Sequence, residues 1–231
     1  MPDNKFAVIG LGRFGTAIAQ TLSGRGAEVL AIDNREEKIE EVKEEVAYAV
    51  CLDSTDAKAL HAQNIQDMDA VVVAIGENFE ALLLTTVLLK ELNVKRIIAR
   101  ANGNHQRMIL EKLGISEILS PETRVGITVA EQLLNPSIVT SLQLPDNYEI
   151  VEIKTPRELT SRTLAEIGLR NKYNLNLITL KREFEVKKHG EPGIETHILG
   201  VPSSDTVLYE TDTIIVFGKA HDIERFIEIN K

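Results

Sequence analysis

Short aliphatic runs alternate with amphipathic, charge-edged stretches through the first half of the chain. The runs fall at 6–10, 29–33, 47–51, 70–75, 96–101 and 117–119, and they predict six strands. Between them, helical spacing and cap signals predict helices over 13–25, 35–44, 56–63, 78–92 and 104–113. The order is that of repeated βαβ units. AVVVAI at 70–75 is apolar at every position, which suits a strand buried on both faces of a helix-covered parallel sheet. This half is therefore expected to form an α/β, doubly wound parallel sheet.

The rhythm changes after Pro121. One more helix is expected over 122–134, and Asn135-Pro136-Ser137 then breaks it. That break divides the chain into expected domains over 1–136 and 137–231. The second reads as a strand at 148–155, a helix at 163–173 and a strand at 175–182, then a charged, glycine-bearing hairpin at 187–193. A strand at 213–218 and a closing helix over 221–229 complete a small α+β domain.

Composition narrows the functional classes. Hydrophobic residues at 43% beside 26% charged describe a globular protein, and the absence of Trp with 4% aromatics leaves little for stacking on nucleobases. A formal charge of −9 opposes polyphosphate backbones, so nucleic acid is not an expected partner. The single cysteine, Cys51, can form no internal disulfide, and Met1 to Asn4 lead into a strand rather than a signal peptide; both indicate a cytoplasmic protein. The most apolar stretch, 81–89, is bracketed by Glu80 and Lys90 and falls short of the roughly 20 residues of a membrane span. Any membrane link must run through a partner.

The chemistry concentrates in GLGRFG. Gly10, Gly12 and Gly15 fit G-x-G-x-x-G between a strand and an Ala-containing helix, and Asp33 ends the second strand 18 positions (33 − 15) beyond Gly15. In a Rossmann-like fold, the first glycine permits the tight turn, the second lets backbone approach a pyrophosphate, and the third lets helix and strand pack closely. The helix N-terminus adds partial positive charge. Asp33 can accept from ribose hydroxyls and would repel a 2′-phosphate, which disfavours NADP. A second reading leaves the glycines closing a βα turn in a ligand-free sheet.

Arg13 sits badly with the helix dipole unless an anion meets it or a nearby carboxylate pairs with it. Phe14 is expected to pack beneath the turn.

With LDSTD at 52–56, AIGEN at 74–78 and TLAEIGLR at 163–170, GLGRFG and Asp33 make the chain resemble the RCK proteins over nearly its full length. Within them it is similar to the cytosolic gating subunits of Ktr and Trk potassium uptake systems, of the KtrA/TrkA type. The resemblance implies RCK N-terminal and C-terminal domains, and a homodimer assembled into an octameric ring on a membrane potassium-transporting subunit. It implies a response to ATP against ADP, with NAD(H) as another ligand. Gly12, Arg13 and Phe14 would face the phosphates and Asp33 the ribose, with Asp53 and Ser54 near the adenosine and Arg100 near the phosphates. Glu122 would help hold a divalent cation at the dimer interface. In the C-terminal domain, Leu164, Ile167 and Arg170 match a stretch that binds cyclic di-AMP in some relatives.

Plainer roles stand beside these. Asp53, Ser54 and Thr55 suit a helix cap, Glu122 suits the first turn of a helix, and Arg100 suits a solvated strand end. Leu164 and Ile167 have the spacing of core residues. The rival function is an NAD-dependent oxidoreductase, since fold alone does not decide function. No tyrosine has a lysine four residues on, and neither His61 nor His105 stands at a suggestive spacing from a carboxylate. No metal-ligand spacing or P-loop lysine pattern is present. A nucleotide site without evident chemistry points to regulation rather than catalysis.

Overall fold

A computed structural model describes residues 4–188 and 191–230. Its chain divides into two compact units, Met1–Arg124 and Val125–Lys231. The division falls inside the helix Pro121–Leu134 (α6), ahead of the Asn135-Pro136 break that the sequence marks most strongly. A helix can run from one compact unit into the next without any change in periodicity, so the local pattern holds no sign of that division.

The first unit contains six strands, all parallel: β1 (Lys5–Ile9), β2 (Glu28–Asp33), β3 (Tyr48–Cys51), β4 (Ala70–Val73), β5 (Ile97–Arg100) and β6 (Glu117–Leu119). Their order is β3-β2-β1-β4-β5-β6. Helices α1 (Arg13–Gly24), α2 (Glu36–Val42), α3 (Ala57–Ala62), α4 (Phe79–Glu91) and α5 (Asn104–Lys112) make the connections. Successive side chains of a strand point to opposite faces, and here both faces are cores. Ala7 and Ile9 join Ile32, Val71 and Leu82 in one; Val8 joins Val29, Ala31 and Ala19 in the other. That double burial is why the strands read as continuous apolar runs. The order reverses between β1 and β4, and ligands of such sheets bind in the crevice beyond the carboxyl ends of the strands at that point.

The second unit is an antiparallel sheet of β7 (Ile138–Gln143), β8 (Tyr148–Lys154), β9 (Asn176–Lys188), β10 (Glu191–Ile198) and β11 (Thr213–Lys219), ordered β10-β9-β11-β8-β7. Val151, Ile153, Leu180, Ile214 and Val216 face a core closed by Ile223, Phe226 and Ile227 of α9 (Ala220–Ile229).

Three expectations need correction here. β7 occupies residues just beyond the Asn135-Pro136-Ser137 break for which no element was expected; it is an edge strand with no fully buried residue, so it lacks an apolar signature. The helix expected over 163–173 is two short ones, α7 (Leu164–Ile167) and α8 (Leu169–Tyr173), because Gly168 adopts φ 65° between them. The strand expected at 175–182 continues to Lys188, its partner β10 supplying the hydrogen bonds for the charged extension. Of the hairpin expected at 187–193, His189 and Gly190 lie outside the described residues.

Partial burial, followed by the proximity of Glu131 and Glu224, raises the carboxyl of Glu149 above the usual carboxylate range. A carboxyl raised by folding costs stability once ionised, and the cost fades as pH falls through its folded value. Glu149→Gln is therefore expected to raise the melting temperature at neutral pH and to lose that advantage in mild acid, as thermal unfolding across pH will test.

Candidate functional site

β1 runs into the glycine turn, which adjacent strands hold in place. The Gly10 N–H donates to Ile32 O at 2.8 Å, and the Ala74 N–H donates to Ile9 O at 2.7 Å. Gly10 has φ 94°, and a Cβ there would meet Ile75 N at 3.0 Å. A Cβ at Gly15 would lie 1.9 Å from Gly10 O. Gly12 differs from both: its φ is −70°, and nothing lies within 4 Å of where its Cβ would stand. The fold demands Gly10 and Gly15, whereas Gly12 leaves open the approach that the fingerprint reserves for a pyrophosphate.

Asp33 closes the turn from β2. It is only 7% exposed; Oδ2 accepts from the Leu11 N–H at 2.7 Å and Oδ1 from the Arg35 N–H at 3.0 Å. The carboxylate thus fixes the loop, a role the sequence reading missed, while its remaining lone pairs are available to hydroxyls. The Arg35 guanidinium lies beside it, Nε 3.4 Å from Oδ1. This neighbour offsets part of the repulsion expected against a 2′-phosphate. Cys51 pairs in register with Asp33 at the same corner and is exposed.

α1 begins at Gly12 with no side-chain cap and no acidic residue in its first turn. Arg13 is exposed there and pairs with no carboxylate among the described residues, so the carboxylate-paired alternative is not found. Phe14 is half-buried beside the core under α1, as expected, and its ring lies 5.7 Å from the Arg100 guanidinium carbon.

Arg100 ends β5 and is not a solvated strand end: its side chain is 17% exposed. The guanidinium pairs with Glu122 in the first turn of α6, and NH1 would lie 2.6 Å from a Cβ at Gly76. Asn102 Nδ2 donates to Gly76 O at 2.7 Å. Arg100 Nε is buried without a hydrogen-bond acceptor. Arg100, Ala101, Asn102, Gly103, Glu122 and Thr123 line a cavity of about 250 Å³. No group of three or more His, Cys, Asp or Glu able to hold a metal occurs among the described residues. Glu122 faces a guanidinium rather than other acids, so the chain's own donors do not form a cation cage there.

Asp53 and Ser54 have local partners. Asp53 Oδ1 accepts from the Thr55 N–H at 2.9 Å and the Thr55 hydroxyl at 2.7 Å, which together hold its carboxyl below the usual range. The residue that caps α3 is Asp56, accepting from Lys58 N–H and Ala59 N–H, so the capping role read for the 53–55 cluster belongs one residue later. Ser54 is buried, its hydroxyl 2.8 Å from that of Thr85 in α4.

In the second unit, Ile167 is 1% exposed within the core and Leu164 packs against that core. Only Arg170 of that trio is exposed, its Nε donating to Asn176 Oδ1 at 2.8 Å. Of the two aliphatic residues matched to the cyclic di-AMP stretch, Ile167 is core and Leu164 is half-buried. His61 and His105 are exposed helical residues. No described helix is long and apolar enough to cross a membrane.

Comparison with known proteins adds context to this geometry. The TrkA-N domain model matches residues 6–121, and the TrkA-C domain model matches 148–231. Ktr system potassium uptake protein C of Bacillus subtilis is 36% identical over 96% of this chain and 95% of its own length. Ktr system potassium uptake protein A of the same organism is 34% identical over 97% and 96%. Among solved structures, the GsuK RCK domain superposes over 99% of this chain and 46% of that one, with TM-score 0.53 and 22% identity. GsuK bound to ADP matches 58% of this chain and 34% of its own, with TM-score 0.50 and 26% identity. The chain thus spans less than half the length of these two solved chains.

Proposed function

The chain belongs to the family of Ktr and Trk potassium uptake proteins built from TrkA-N and TrkA-C domains, and on that premise we propose that it is a nucleotide-binding regulatory subunit of a potassium uptake system. Its first unit binds an adenine nucleotide, ADP or ATP, with NAD(H) as an alternative occupant. Homodimers assembled into an octameric ring act on a membrane potassium-transporting subunit from the cytoplasmic side. The regulatory step is differential binding: a nucleotide shifts the ring only as far as it prefers one arrangement over another.

One observation carries the reading. Among the described residues Arg13 has no counter-charge at the uncapped N-terminus of α1, beside the open face of Gly12, in the crevice where the strand order reverses. A helix dipole disfavours that cation, and an arriving phosphate offsets the cost. Asp33 serves the ribose, with Asp53 and Ser54 framing the adenosine side. A divalent cation at Glu122 would need nucleotide phosphates to complete its shell.

Calorimetric titration with ATP, ADP, NAD and NADH tests the proposal, with turnover of nicotinamide substrates assayed in parallel. Adenine-nucleotide binding without turnover is expected, and bound nucleotide is expected to slow labelling of Cys51 by a thiol reagent at mildly alkaline pH. Replacing Arg13 by Ala should weaken ATP more than ADP. Hydride transfer by the protein would move it to the oxidoreductases.

A further inference from the structure

Two side chains assigned above to a nucleotide's phosphates and to a cation beside them hold each other in the free chain. The Arg100 guanidinium, a phosphate partner by chemistry, is paired with the Glu122 carboxylate. Glu122 is 61% exposed, whereas Arg100 is 17% exposed and confined between the Phe14 ring, Gly76 and the end of β5. Both line the same cavity. Arg100 Nε faces no acceptor, so the cation has an unsatisfied donor that a single carboxylate at its far end does not reach. Planar guanidinium forks bind phosphate as readily as carboxylate.

We propose that Glu122 is an internal competitor for the phosphate position: its carboxylate occupies Arg100 until a nucleotide phosphate displaces it. The buried partner stays and the exposed one leaves. Binding is then an exchange of one anion for another on Arg100, and Glu122 sets the discrimination, since ligands without a phosphate that reaches Arg100 cannot drive the exchange. This rests on the nucleotide reading of the site and specifies how that site is gated.

The test is calorimetric titration of ADP and adenosine in the presence of a chelator, with wild type, Glu122→Gln, Arg100→Gln and the double variant. Glu122→Gln should tighten ADP by about two- to five-fold, as expected for losing a partly exposed competing ion pair. Adenosine, which brings no phosphate, should gain nothing, and the gain for ADP should vanish when Arg100 is also replaced. Unchanged or weaker ADP binding by Glu122→Gln overturns the exchange, as does a gain that survives without Arg100. Wild type that binds ADP without this gain refutes the competitor alone; wild type that binds no adenine nucleotide overturns the underlying site as well.

Discussion

Gly15→Ala is expected to cost about 3 kcal/mol of stability, the upper range for forced overpacking, and to abolish nucleotide binding. The added Cβ would lie 1.9 Å from the Gly10 carbonyl oxygen, and backbone cannot rotate aside as a side chain can. α1 must then lift away from β1, moving its N-terminus off the crevice. Gly12→Ala supplies the contrast: its φ of −70° is ordinary and its Cβ meets nothing. Stability should stay within about 0.5 kcal/mol of wild type. Affinity should still fall by about tenfold or more, because the methyl group occupies the path of the incoming pyrophosphate. Denaturant unfolding and calorimetry on both variants separate the glycine the fold requires from the one the ligand requires.

Arg182→Ala should be the most damaging substitution in the second unit. Arg182 of β9 donates from Nε and NH2 to the two oxygens of Asp212, at 2.8 and 2.7 Å, and from NH2 to Val207 O at 2.8 Å. Asp212 is 1% exposed and also accepts from the Tyr209 N–H, while the guanidinium carbon lies 4.4 Å from the centre of the Tyr209 ring. Removing the arginine leaves a buried carboxylate without its cation, which costs about 3–5 kcal/mol. Arg157→Ala removes an exposed partner of Glu210 and should change nothing measurable. Comparable midpoints for both variants would refute this account of the second core.

Much of the first unit was legible because its constraints are local. The central strands β1, β2 and β4 are buried on both faces and the others are at least apolar, so six runs stood out, while Gly10, Gly12 and Gly15 directly follow β1 and Asp33 ends its neighbour β2. In the second unit, β7 and the Gly168 break escaped notice. One is an edge strand without a buried face; the other turns on a single left-handed residue.

By itself the sequence determined the βαβ rhythm, the glycine turn with its acid and the resemblance built on them, since these depend on residues close along the chain or on burial that repeats with strand and helix period. Only the tertiary structure decided that Asp33 fixes the Leu11 loop, that Ile167 is core, and that Arg100 and Glu122 hold one another. Those outcomes depend on which side chains meet in space after the strands are ordered. Charge and spacing in one dimension can nominate an arginine and a glutamate, but pairing them requires the ends of β5 and α6 to be brought to the same place.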